Sequence, residues 1–498
     1  MESAHWLIKR LSCSLAELDR CRHEAASEPI TLPESDQHQV SLFQRMHFTF
    51  FAGERTSLAK MAAVKVSLPA PIEQKFNHYG AYVVANSVGK LLPHQMHALQ
   101  KLQTWFKNKP NQIALTAMPT GSGKTGVICC LPYFLGALKN ASDERVFEMN
   151  KPILVIAPNL EIASQLEKQV TISSDDPGAN FICSKRGILP KERKDALPKG
   201  IKIEKTEDLR NPLYLQMNDI VIANAQKFLK GEWERALGND LFQMVIVDEA
   251  HHFPAPTWRR IIEKFKEHAL VAFFTATPFR TDRKPVVKGP LAYRLTLDDA
   301  VRQRIIRETR LDPPLSTRSD ATIRFLDDVF RPILKRVRKL QDRKNANHPL
   351  PNNIPHMALA ITKDTMEADR VQELWNALFG DDSAIAYHSD VGKVELGKRM
   401  KRLKENQVKL VVVVEMLKEG FDHPPISIAV IMTRISSPLK FTQFVGRAQR
   451  IVRTPQGNES NGICADVVTH SHFEQKENFR KFESEELIEL ADDLNQLE

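Results

Sequence analysis

From residue 113 onward, short apolar runs without polar alternation recur along the chain. IALTAM (113–118), ILVIAP (153–158), DIVIAN (219–224), MVIVDE (244–249) and LVAFFTAT (270–277) are rich in Val, Ile, Leu and Phe. Such runs predict strands buried on both faces, as in a parallel sheet. Helical periodicity between several of them predicts βαβ units and a doubly wound sheet. RPILKRVRKLQDRK (331–344) then reads as a basic helix, and NANHPLPNNIPH (345–356) as a Pro/Asn-rich linker. Beyond it a second series begins: HMALAIT (356–362), SAIAYHS (383–389), KLVVVVE (409–415) and SIAVIMT (427–433).

The pattern predicts an α/β chain in five parts. Residues 1–70 carry no motif and read as an accessory segment; 71–312 form a first α/β domain and 313–356 the basic helix and linker. Residues 357–470 form a second α/β domain, and 471–498 an acidic helical tail. A length of 498 residues agrees with more than one core. The net charge of +9 favours an anionic partner, nucleic acid first. The six cysteines include no CxxC pair, which argues for reduced thiols in an intracellular compartment, with nucleus, cytoplasm and mitochondrion all open. GVICCLPYFLGAL (126–138) is too short to cross a bilayer, so no membrane association is expected.

MPTGSGKT (118–125) lies between an apolar run and a helical pattern, the setting that a phosphate-binding loop requires. Gly121 and Gly123 let backbone amides face a phosphate, and Lys124 adds a cation. Thr125 offers a hydroxyl to Mg²⁺, and Thr120 and Ser122 complete the loop. VIVDEAHHF (245–253) raises two alternatives. Its acids and imidazoles could gather round a dedicated metal, or Asp248 could hold the Mg²⁺ of a nucleotide while Glu249 faces the attacking water. Alternation on a strand end sets neighbouring side chains apart, which favours the second reading.

MPTGSGKT with VDEAHH and TATPFR (275–280) resembles the superfamily 2 helicases of the DEAH type. LLPHQMHAL (91–99), VIAPNLEIASQL (155–166), VIANAQKF (221–228), EMLKEGFDHP (415–424) and QFVGRAQR (443–450) resemble further motifs of these helicases, in the same order. TATPFRTD and MLKEGFDHP point within them to restriction-type helicase subunits and their repair-helicase relatives. Two departures stand out. Met118 opens the loop where Gly or Ala is usual, and Val414 stands where many members carry a Thr that touches a nucleic-acid phosphate.

The resemblance implies two tandem RecA-like domains with an ATP cleft between them, and ATP and Mg²⁺ as cofactors. It implies that Gln95 reads adenine, that Gly420 and Asp422 approach the ribose and γ-phosphate, that Arg447 meets the γ-phosphate, and that Arg450 is the arginine finger. His251, Thr275, Thr277 and Gln443 would couple the cleft to domain motion. Pro158, Asn159, Asn224, Gln226, His388 and Ser389 would meet nucleic acid. The activity implied is ATP-driven translocation or strand separation, with DNA favoured over RNA and room for a nuclease, repair or defence partner chain. An ATP-switched sensor or clamp without unwinding is the alternative.

Overall fold

The computed structural model describes residues 75–172, 179–190, 193, 196–253, 255–278, 286, 290–316, 326–414, 423–454, 457–460 and 462–483. The accessory segment expected over 1–70 and the tail past 483 lie outside the described residues.

The apolar runs of the first half become β1 (Ala114–Ala117), β2 (Ile153–Ala157), β4 (Ile220–Asn224), β5 (Met244–Val247) and β6 (Leu270–Thr275). Two short strands join them, β3 (Gly200–Lys202) and β7 (Tyr293–Arg294), in the order β3-β4-β2-β5-β6-β1-β7. Every pairing is parallel. Because side chains alternate along a strand, each apolar run feeds two cores. Val155, Ile246 and Phe274 face one side, under α1 (Lys75–Ser87), α2 (Pro93–Asn108), α3 (Lys124–Gly136) and α4 (Leu160–Val170). Their neighbours Leu154, Val245 and Phe273 face the other side, under α5 (Pro256–Phe265), which contributes Trp258, Ile261 and Ile262. The first lobe ends with α6 (Leu297–Arg302).

The second sheet contains β8 (Thr309–Leu311), β9 (Met357–Thr362), β10 (Ala384–Tyr387), β11 (Leu410–Val414), β12 (Ile426–Ile431) and β15 (Ala465–Thr469). Its order is β10-β11-β9-β12-β15-β8, again parallel throughout. β13 (Arg453–Thr454) and β14 (Gly457–Asn458) form a separate antiparallel pair. One face packs α7 (Leu326–Asn347) and α8 (Thr365–Phe379), and α9 (Lys393–Lys404) follows β10. The opposite face packs α10 (Pro438–Val445) and α11 (Lys476–Glu483), joined by the edge contact of Phe441 with Phe482.

Two features go beyond the sequence pattern. The basic helix is an integral part of the second lobe, because Phe330, Ile333, Leu334, Val337 and Leu340 make a buried stripe inside α7 while Arg331, Lys335 and Lys339 face outward. β15 is an interior strand that carries a charge: Asp466 is fully buried and pairs with Lys344 of α7 at 2.8 Å and Arg310 of β8 at 2.6 Å. The chain passes between lobes at one peptide bond. Ile305 and Ile306 pack into the core of the first lobe, whereas the Arg307 side chain is bonded entirely within the second.

Candidate active site

The candidate site begins at the carboxyl ends of β1 and β5 in the first sheet, where ligands of open α/β sheets bind. At the end of β1, the Met118 amide donates to the Thr275 carbonyl at 3.0 Å and starts the phosphate loop. Gly121 has φ +83° and Gly123 φ +89°, a region that favours glycine. A side chain on Gly121 would stand 2.9 Å from Cγ of Arg450, and one on Gly123 2.6 Å from Nε2 of Gln95. Ser122 closes the loop by donating its hydroxyl to the Pro119 carbonyl at 2.7 Å. Thr120 is half-buried, and Thr125 lies in the first turn of α3 beside Lys124. Lys124 Nζ sits 3.5 Å from the Met118 carbonyl and 3.8 Å from Glu249 Oε1.

The first turn of α2 supports the loop. Gln95 donates from Nε2 to the Gly123 carbonyl at 2.9 Å and accepts the Leu92 amide at Oε1. His94 places Nε2 2.7 Å from the Ser122 carbonyl. Gln95 is thus built into the phosphate loop, and His94 is a loop support that the sequence reading missed.

Asp248 leaves β5 with its amide bonded to Ile156 and its carboxylate accepting the Glu249 amide at 3.0 Å. Glu249 then adopts φ 49°, ψ 52°, a left-handed conformation costing a non-glycine residue about 1–2 kcal/mol. This twist brings the Glu249 carboxylate toward Lys124 and to 3.4 Å from His251 Nδ1. Burial pushes the Glu249 carboxyl up, but Lys124 and His251 overcome that and hold it well below the ordinary carboxylate range. His251 Nδ1 also meets the Thr275 hydroxyl at 3.3 Å, and its Nε2 meets the Gln443 side-chain amide of the second lobe at 3.1 Å. Thr275 donates to the Thr277 carbonyl at 2.8 Å, while the buried Thr277 hydroxyl has no hydrogen-bond partner among the described residues. His252 stacks on Trp258 with ring planes 20° apart, which gives it a packing role.

The second lobe meets the loop directly. A side chain on Gly446 would stand 2.9 Å from Cβ of Thr120, so glycine is what allows α10 to approach the loop this closely. Arg447 is buried nearby, and Arg450 reaches across Gly121. Burial lowers the Arg450 guanidinium to about 10, against the opposing pull of the Glu249 charge. Gly420 and Asp422 lie outside the described residues. Val414 ends β11, half-buried.

The residues expected to touch nucleic acid fall into two groups. Pro158 follows β2 and Gln226 is exposed. Asn159 caps α4 by accepting the amides of Glu161 and Ile162, and the buried Asn224 accepts the Gln226 amide at 2.7 Å. His388 is also buried, with Nε2 2.9 Å from Asp369, whereas Ser389 is exposed and bonds Asp390. Asn159, Asn224 and His388 are therefore bonded within their own lobes.

Two parallel α/β lobes with a phosphate loop on one and paired arginines on the other define a class of nucleotide-dependent motor ATPases. Residues 89–280 match the family described as "Type III restriction enzyme, res subunit", and residues 348–452 match "Helicase conserved C-terminal domain". The chain is a superfamily 2 helicase related to the restriction-type group. It is 23% identical over 391 residues to the "DNA 3'-5' translocase XPB2" of Sulfurisphaera tokodaii, covering 70% of this chain and 77% of that one. It is 23% identical over 258 residues to "Putative helicase 22" of a Sulfolobus islandicus filamentous virus, covering 48% of this chain and 44% of that protein, so less than half of that relative's length is matched. The fold is similar to the "fragment structure of a putative HsdR subunit of a type I restriction enzyme from Vibrio vulnificus YJ016", with TM-score 0.52 and 19% identity, covering 77% of this chain and 65% of that one. Among the described residues, no helix is long and apolar enough to cross a membrane.

Proposed function

We propose that the chain is an ATP-dependent nucleic-acid translocase or helicase that hydrolyses ATP between its two lobes, with DNA as the favoured track. The observation that carries this reading is the composite site: Arg450 lies across the phosphate-loop Gly121, and Gln443 meets His251 at 3.1 Å. Phosphoryl transfer is largely positioning and electrostatic stabilisation. Lys124 and the loop amides would hold the β- and γ-phosphates, and Glu249 would accept the proton of the attacking water. Arg450, with Arg447, would meet the charge that develops on the γ-phosphate. Asp248 and Thr125 would hold Mg²⁺, and their acid-and-hydroxyl donor set fits a hard cation. The bound ion would screen the phosphate charge.

Because half the site comes from each lobe, the state of the nucleotide would set whether the lobes close. DNA is favoured by the restriction-type family match and by the relative named as a DNA translocase. The net charge of +9 supports a phosphate-backbone partner. The test is ATP turnover with single- and double-stranded DNA and RNA, followed by strand displacement on the best activator. DNA stimulation that Lys124→Ala abolishes is expected. Equal turnover in wild type and Lys124→Ala would refute the reading, and stimulation without displacement would narrow it to translocation or sensing.

A further inference from the structure

Arg307 is the first residue of the second lobe, and its side chain is wholly buried. A guanidinium carries five N–H donors in a fixed plane, and here each has an acceptor. Nε donates to Glu459 Oε1 at 2.7 Å, and Nη2 to Glu459 Oε2 at 2.5 Å and to the Pro424 carbonyl at 3.0 Å. Nη1 donates to the carbonyls of Ile426 at 2.7 Å and Ala448 at 3.0 Å. The backbone joins in as well: the Arg307 amide donates to Gln449 at 2.6 Å, and Ile306 pairs antiparallel with Arg450. Glu459 is buried too, and it also accepts the Val452 amide at 2.9 Å.

Burying an ion pair is costly, and apolar residues could fill the same space. They could not bond three carbonyls at once. Those carbonyls belong to the two stretches that flank the arginine: the segment of Arg447 and Arg450, and the exit of the segment holding Gly420 and Asp422. Ile306, one residue earlier, is packed into the other lobe. A single side chain thus joins the inter-lobe crossing, the arginine-bearing turn and the start of β12.

We propose, on the reading that the cleft hydrolyses ATP, that Arg307 is a positioning residue that fixes Arg450 against the phosphate loop and ties its placement to the Pro424–Ile426 backbone. Arg307 touches no nucleotide; it acts through Arg450. Lysine cannot replace it, because one ammonium lacks the planar fork.

The experiment uses the full chain. ATP turnover with and without nucleic acid, and binding of a fluorescent ATP analogue, are measured for wild type, Arg307→Lys, Arg450→Ala and the double variant. Arg307→Lys is expected to keep analogue affinity within about 3-fold while kcat falls by about 10-fold or more, a loss confined to the chemical step. In the Arg450→Ala background the same change is expected to cost nothing further, because the two residues act as one unit. Multiplying losses in the double variant, or wild-type kcat in Arg307→Lys, would overturn the proposal. Should Arg307→Lys fail to fold, Glu459→Gln carries the same test: a smaller kcat loss, absent in the Arg450→Ala background. If Lys124→Ala turns over ATP like wild type, the hydrolysis reading itself has failed. If Lys124→Ala and Arg450→Ala are both inactive while Arg307→Lys is normal, only the role given to Arg307 has.

Discussion

Glu249→Gln tests the chemistry most directly. The substitution keeps the shape of the side chain and removes its charge. At the 3.8 Å separation from Lys124, with an effective dielectric of about 20, the lost attraction is on the order of 4 kcal/mol. Only part of this is offset by relief of the desolvation that burial imposes on the carboxylate, because the carboxyl stays below its ordinary range despite that burial. Net stability should therefore fall, by about 1–3 kcal/mol. Turnover should respond far more strongly, because removing a positioned proton acceptor typically costs about 10²–10⁴-fold. The assay is phosphate release at saturating ATP and nucleic acid, paired with equilibrium binding of an ATP analogue. Binding should persist while release collapses. Lys124 and His251 hold the Glu249 carboxyl below the ordinary range, so it stays ionised at neutral pH and imposes no acid limb on turnover between about pH 5.5 and 8. Its contribution to stability is complete above the ordinary carboxylate pKa and is lost as pH falls through the lowered one. Wild-type turnover in Glu249→Gln would refute the assignment.

Three other perturbations follow from the same structure. Gly121→Ala forces an L-residue into φ +83° and a methyl against Arg450, so unfolding should ease by about 1–2 kcal/mol, and turnover should fall more than stability alone explains; calorimetry and phosphate release check this together. Asp466→Ala leaves Lys344 as an uncompensated buried charge, so urea unfolding should show a loss of about 3–5 kcal/mol. Burial lowers His356 to about 4, so the unfolded chain takes up a proton before the folded one does. Stability should fall as pH drops from about 6.5 toward 4, by up to about 1.4 kcal/mol per pH unit for this group, and His356→Gln should flatten the slope seen in urea titrations.

Sequence revealed the fold wherever burial on both faces left an unbroken apolar run. IVIAN and LVVVV could hardly lie elsewhere than inside a parallel sheet. It failed for β15, where Asp466 interrupts ADVVT, because the partners that satisfy that charge come from α7 and β8. It failed also for β3 and β7, edge strands too short to carry a pattern. The glycine-rich loop after β1 and the acids after β5 stand out in the sequence because the chemistry proposed for them needs consecutive residues. The support from His94, the close approach of Gly446 and the bonding of Arg307 do not, since each depends on residues distant in sequence. The buried contact of His388 with Asp369, 19 residues earlier, is likewise invisible in the sequence.

The crossing at Ile306–Arg307 has a consequence best put in polymer terms. A long flexible linker would let the two half-sites wander, and bringing them together would then cost loop-closure entropy that grows with linker length. Here the residues on either side of one peptide bond are packed into opposite lobes, and Ile306 itself pairs with Arg450. The tether has almost no contour length to lose. Arg450 is accordingly presented to the phosphate loop at a high effective concentration, set by local geometry and independent of how much protein is present. Assembly of this half-site is a unimolecular rearrangement about a fixed point, and dilution should not slow it.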